Sequence, residues 1–178
     1  MNHLVDDLYQ LSLSDVGGLR YNFTPLNLSS CLESLLVSLQ QQAHGKGLDL
    51  IFNIQKDVWV NADLQRLEQL ILNLCNNAFA YTDSPGKIEL KLTAHQEQVS
   101  LSIDDSYPSV AAQDCELLFD PLYRQDLSRT RRESGAGLGL TICKNIVEAH
   151  GGGIQASPSS LGGLQIMIKL KSVVGVSQ

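Results

Sequence analysis

Helical and strand periodicities alternate along almost all of this chain, and each helical stretch gathers its apolar residues into one stripe. Residues 28–44 place Leu28, Cys31, Leu32, Leu35, Leu36 and Leu39 on one face, open with asparagine and serine, and stop at Gly45 and Gly47. Residues 63–82 form a longer helix, with Leu67, Leu70, Ile71, Leu74 and Ala78 as its core stripe. Residues 139–150 form a third, ended by Gly151-Gly152-Gly153. Between them, 48–54 alternates as a half-buried strand does and 58–60 is a shorter one. Residues 87–93 (Ile88, Leu90, Leu92 inward) and 99–104 (Val99, Leu101, Ile103 inward) read as antiparallel neighbours joined by a polar turn, and 164–170 closes the pattern. Helices with a single apolar stripe cover one face of a sheet, so a two-layer α/β sandwich is expected.

Composition narrows the function. With 178 residues, 43% of them hydrophobic, the chain can bury one ordinary core. A formal net charge of −6 argues against a nucleic-acid binder, whose footprint is basic. No apolar run reaches the ~18 residues of a membrane span, and no signal peptide opens the sequence. Cys31, Cys75, Cys115 and Cys143 are scattered, with no C-x-x-C pair and no histidines at ligand spacing; they read as buried free thiols of a reducing compartment rather than metal ligands. Near the start, Leu4, Val5, Leu8 and Leu11 have helical spacing. So short a helix must lay its stripe on something, either this domain or the rest of a longer helical hairpin.

Three short motifs carry the chemistry. On the long helix, Asn73, Asn77 and Tyr81 fall at i, i+4 and i+8 along one flank of the core stripe, while Asn76 faces solvent. Asparagine is a poor helix former, so three in one interior call for a reason. A carboxamide oxygen suits Mg²⁺, which draws its other ligands from water and phosphates, and Tyr81 offers a flat ring to a nucleobase; alternatively, the asparagines cap neighbouring loops. The second motif is Asp105, leaving a strand into a turn. It is either an acceptor for an exocyclic amine or a turn former, and the inward Ile103 implies that Asp105 also faces inward. The third is Gly135-Ala136-Gly137-Leu138-Gly139-Leu140, which offers unobstructed N–H groups at a helix start, a recipe for phosphate. Arg124, Arg129, Arg131 and Arg132 precede it, either as charge for a triphosphate or as a solvated basic loop.

In this order, with Phe119-Asp120-Pro121-Leu122-Tyr123-Arg124 and the run from Gly137 to Gly152, the motifs resemble the GHKL ATPase superfamily. Within it the chain is similar to the catalytic ATP-binding domain of sensor histidine kinases, the envelope-stress sensors in particular, over essentially its whole length. The resemblance implies a mixed, mostly antiparallel sheet covered on one face by about three helices. Residues 1–16 would be the end of the dimerisation and phosphoacceptor hairpin, 17–26 a linker, 27–172 the catalytic domain and 173–178 a tail. Asn77 would bind Mg²⁺, and Asn73 metal-bound water or phosphate. Tyr81 would stack near adenine, Asp105 would bond its amino group, and Val110 would contribute to the same pocket. Phe119 and Tyr123 would anchor a lid. Arg124, Arg129 and Arg131 would approach the phosphates, with Gly135, Gly137, Leu138, Gly139 and Leu140 forming the lid's phosphate-facing end.

The implied reaction moves the ATP γ-phosphoryl to a hairpin histidine, and thence to a response-regulator aspartate. The implied partners are the chain's own hairpin domain, a response regulator and, in the full-length protein, a second copy. The full-length protein is expected in the bacterial inner membrane, with this domain on the cytoplasmic side and touching neither membrane nor nucleic acid. None of His3, His44, His95 or His150 sits in a phosphoacceptor setting, so no autophosphorylation of this stretch is expected. Alternative functions are a degenerate nucleotide-binding module with a regulatory role, or another GHKL ATPase such as an anti-sigma serine kinase. The chain departs from the D-x-G-x-G pattern of the family, with Tyr107 and Ser109 at the glycine positions, and has Ala80 where a cation is common. A left-handed Ser109 would be strained by about 1–2 kcal/mol and would weaken nucleotide binding about tenfold.

Overall fold

The computed structural model describes Ser12, residues 19–123 and residues 137–173. The chain runs β1 (Thr24–Asn27), α1 (Leu28–Gly45), β2 (Leu48–Ile54), β3 (Trp59–Ala62), α2 (Leu64–Tyr81), β4 (Gly86–His95) and β5 (Gln98–Ser106). Two 3₁₀ turns (Ala112–Asp114 and Glu116–Phe119) precede α3 (Gly139–Ala149), β6 (Gly153–Pro158) and β7 (Gly162–Lys171). Among the described residues the main sheet has the order β2-β4-β5-β7-β6, with β2 and β4 parallel and the other pairs antiparallel. The parallel pair is bridged by β3 and α2, the crossover that two parallel strands require.

Register explains the two-layer build. Leu90 pairs with Ile103 and Leu92 with Leu101 across β4 and β5, and Leu101 pairs with Ile168 and Ile103 with Ile166 across β5 and β7. Opposed residues share a face, so these apolar side chains form one buried layer, on which the helical stripes close. Lys91, Ser102 and Met167 occupy the other face. The α2 stripe is buried as its spacing predicts, with Cys75 and Phe79 added to it.

Each helix start follows local chemistry. Asn27 Oδ1 accepts from Ser30 N at 3.1 Å to cap α1, and Asp63 Oδ1 accepts from Arg66 N at 3.1 Å to cap α2. At the far end of α2 the buried Thr82 hydroxyl donates to the Ala78 carbonyl oxygen at 2.7 Å.

The short strand expected at 58–60 is displaced to Trp59–Ala62. Val58 is buried but serves α1: its N–H donates to Ser29 Oγ at 3.0 Å, and its carbonyl accepts from Leu28 N at 2.8 Å. Within the stretch expected as a linker over 17–26, Thr24, Pro25 and Leu26 pair with Ala62, Asn61 and Val60 as β1. Upstream of β1, Tyr21 and Phe23 stack at 5.7 Å, and each presents a ring to His150 edge-on, at 5.6 and 5.0 Å. His150 Nδ1 lies 2.7 Å from the Ile146 carbonyl oxygen and so carries the proton, which leaves Nε2 to accept from Asp63 N at 3.1 Å. Asn22 N donates to Asp63 Oδ2 at 2.8 Å. One imidazole thus joins the end of α3, the start of α2 and the segment before β1. His150→Ala should cost about 1–3 kcal/mol in urea unfolding, because it leaves the Asp63 N–H without its acceptor and strips an aromatic contact.

The helix expected from Leu4 to Leu11 and the tail from 174 onward lie outside the described residues. No described helix is long and apolar enough to cross a membrane.

Candidate functional site

The expected site residues lie on three elements, namely α2, the end of β5 and the start of α3. On α2, Asn73, Asn77 and Tyr81 are half-buried along one flank, and Asn76 is exposed. Helix α3 packs directly on α2. There Cys143 Sγ donates to the Leu70 carbonyl oxygen at 3.8 Å and is hydrogen-bonded to the Asn73 side chain. Asn73 therefore faces the seam edge, one helical turn before Asn77. Burial pushes the Cys75 thiol up to about 12 and that of Cys143 higher still, so both are inert packing groups. All four cysteines are free and buried, as their scatter suggests.

Asp105 sits near the end of β5. It pairs with Ile88, on the helix-covered face, and is 7% exposed. Asp104 points to the opposite face, where Oδ1 accepts from Ser159 Oγ at 2.9 Å and Gln165 Nε2 at 2.8 Å. The parity argument from Ile103 thus assigns the two aspartates correctly. Asp105 Oδ1 accepts from Leu164 N at 2.7 Å. Burial pushes its carboxyl up to about 7, the Leu164 N–H opposing this and the Asp104 charge adding to it.

The end of α2 and the turn after β5 are tied together. Asp83 N donates to the Tyr107 carbonyl oxygen at 3.1 Å, and Lys87 N to Ser106 Oγ at 2.9 Å. Gly86 permits this approach, since a Cβ there would meet the Asp83 carbonyl oxygen and the Thr82 methyl. Among the described residues the non-glycine positions with positive φ are Asp57, Gln96 and Leu122. Neither Tyr107 nor Ser109 takes the left-handed geometry that a glycine would permit, so the strain expected at Ser109 is absent. The turn follows a path open to L side chains, and Tyr107 is a surface residue, 66% exposed. Ser109→Gly should therefore leave ADP affinity within about twofold by calorimetry, rather than tighten it.

The third element is the start of α3. Leu122 N donates to the Gly137 carbonyl oxygen at 3.1 Å, so the chain leaves at Tyr123 and returns at Gly137 side by side. Gly137 has φ +75°, a conformation that favours glycine, and a Cβ there would make a tight contact of 3.1 Å with the Tyr123 carbonyl oxygen. Phe119, Leu138 and Leu140 are buried, Val110 packs against the core, and Thr141 Oγ1 donates to the Phe119 carbonyl oxygen at 3.0 Å. These residues anchor the helix start, and Tyr123 is half-buried beside them. Arg124, Arg129, Arg131, Arg132 and Gly135 lie outside the described residues. At Gly139 an added Cβ would meet nothing within 4 Å. The fold itself makes no steric demand for glycine there.

Sequence reasoning missed Gly163, Leu164 and Gly86. The pair Gly162-Gly163 at the head of an alternating strand is the one local signal that the backbone approaches something closely there.

The helix-borne asparagine flank, the inward aspartate at a strand end and the glycine-rich helix start are the features on which the family resemblance rests. Residues 62–173 match the family of histidine kinase-, DNA gyrase B- and HSP90-like ATPases. The chain belongs to that family. It is 41% identical over 170 residues to the signal transduction histidine-protein kinase BaeS of Escherichia coli (strain K12), covering 96% of this chain and 36% of that protein. The chain thus spans about a third of the length of that curated relative. Among solved structures, the catalytic domain of histidine kinase ThkA superposes with a TM-score of 0.73 at 28% identity, covering 84% of this chain and 95% of that one. The Acinetobacter baumannii histidine kinase AdeS gives 0.77 at 28% identity, covering 95% of this chain and 77% of that one.

Proposed function

We propose that this domain binds ATP and, within a two-component sensor histidine kinase, transfers the γ-phosphoryl to a histidine on a hairpin domain, for relay to a response-regulator aspartate. The observation that carries the reading is Asp105, a carboxylate buried at a strand end with Oδ1 held by a main-chain N–H. That leaves Oδ2 to accept the amino group of adenine in an apolar setting. Tyr81 flanks the base, and Asn73 and Asn77 face the phosphates from α2. The open approach at Gly139 supports the start of α3 as the phosphate cradle. Arg124, Arg129, Arg131 and Gly135 belong to the same proposal and are assigned from sequence alone.

Among the described residues no group of three or more His, Cys, Asp or Glu is placed to hold a metal ion. A neutral carboxamide suits a cation that takes most of its ligands from phosphate and water. Magnesium, which neutralises phosphate charge when bound, would be held by the Asn77 oxygen. The protein's own part is to hold the base, orient the phosphates and exclude water, with little covalent work.

The proposed partners are the hairpin domain, a response regulator and a second copy in the full-length protein. That protein would lie in the inner membrane with this domain on the cytoplasmic side. The name of the curated relative, a signal transduction histidine-protein kinase, supports the kinase setting, and the membrane placement rests on the family resemblance. A thermal melt tests the first step: ADP at 100 times Kd should add about 2.7 kcal/mol, moving the midpoint by several degrees. A melt indifferent to saturating nucleotide would move the assignment to a degenerate module.

A further inference from the structure

We infer that Gly163 is a positioning residue for the nucleotide site, acting through the Leu164 N–H to fix which oxygen of Asp105 faces the base. The inference rests on the reading of Asp105 as the adenine acceptor. Along β5 and β7 the register runs Asp104 with Gln165, then Ser106 with Gly162. Two β7 residues, Gly163 and Leu164, therefore stand opposite the single Asp105, as in a β-bulge. This slip turns the Leu164 N–H away from a ladder carbonyl and onto the carboxylate, at 2.7 Å.

Only glycine allows the approach. A Cβ at Gly163 would run into Asp105 Oδ1 and the Ser106 carbonyl oxygen, and would sit 2.7 Å from that of Asp105. Its φ lies outside the left-handed region, so space and not backbone freedom selects glycine here. The strand is pinned at this height from the other face, where Ser159 and Gln165 both donate to Asp104. Ser159 N also donates to the Gly163 carbonyl oxygen at 2.9 Å. The carboxylate therefore cannot regain its bond by a simple slide of β7.

The consequence is a choice of base. With Oδ1 engaged, the ionised group offers Oδ2 as an acceptor only, which suits an exocyclic amine and repels a ring carbonyl. The neighbours of Asp105 are Ile88 on β4, Gly163 and Leu164 on β7, and the Asp104 charge beside it on β5. Removing the N–H leaves burial and Asp104 unopposed, so the ionised form needs a higher pH.

The test is Gly163→Ala in the 178-residue chain, read by ADP and inosine diphosphate titrations across pH 6 to 9, with far-UV dichroism to confirm folding. ADP affinity near neutrality should fall about tenfold or more, recover in part at the alkaline end, and lose its margin over inosine diphosphate. A purely structural role would lower affinity equally at every pH. A variant with the parent's affinity, or with a pH-independent loss, overturns the inference. Should the variant not fold, the Leu164 amide resonance of the parent decides. It must titrate with the same midpoint as ADP affinity, and an amide that ignores pH overturns the inference. A parent that binds no ADP refutes the nucleotide reading itself, which is a separate outcome.

Discussion

Asp105→Asn should make the nucleotide-free domain more stable above about pH 8, by roughly 2–4 kcal/mol, while removing adenine nucleotide binding at every pH. Burial raises this carboxyl from 3.8 to about 7, so the folded chain holds a proton there that the unfolded chain has already released. The stability from that proton is fully present below the unfolded value and is lost as pH rises through the folded one. Above neutrality the folded protein carries a buried charge, and an isosteric amide removes it. The amide oxygen can still accept from the Leu164 N–H, so the sheet edge loses no partner. Nucleotide binding has the opposite slope, because an amine donor is best met by the ionised form. Urea unfolding and ADP titration of the parent over the same pH range should therefore run in opposite directions through neutrality. If both rise together, Asp105 is not the titrating acceptor.

The second large effect is at Asn77. Asn77→Ala should leave nucleotide affinity in EDTA nearly unchanged, erase most of the gain from magnesium, and slow transfer to a separately supplied hairpin domain by about 10²–10³-fold. Asn73→Ala should behave differently. Asn73 is hydrogen-bonded to Cys143 in the α2–α3 seam, so its loss should also show in the melting temperature of the nucleotide-free chain. If Asn77→Ala lowers ADP affinity equally with and without magnesium, the residue supports the fold and not the cation.

Most of the frame is readable in the amino-acid order because its periodicities are clean. The α2 stripe repeats every three to four residues, and Ile88, Leu90, Leu92 and Leu101, Ile103 alternate strictly, so each falls on the buried layer. Alternation also carried the orientation of Asp105, one parity step beyond Ile103. The elements missed are edges. Strand β1, Thr-Pro-Leu-Asn, is four residues long with a proline, and β6 has only Ile154 and Ala156 as partly buried apolar residues. Such segments are strands because a neighbour offers hydrogen bonds, not because of their own pattern. The Gly163–Asp105 contact joins residues far apart in sequence, and no local window contains both. The strain expected at Ser109 failed for a related reason. A turn motif specifies which residues suit one backbone path, while this chain takes another through Tyr107 and Pro108, tied down by Asp83.

The most direct test of the account is a calorimetric comparison of ADP with inosine diphosphate, which replaces the amino group by a carbonyl, on the parent chain and on Asp105→Asn in the presence of magnesium. The parent should bind ADP at least about tenfold more tightly than the inosine analogue, and the variant should lose ADP binding. Equal affinity of the parent for both nucleotides, or an Asp105→Asn chain that binds ADP as the parent does, would contradict it.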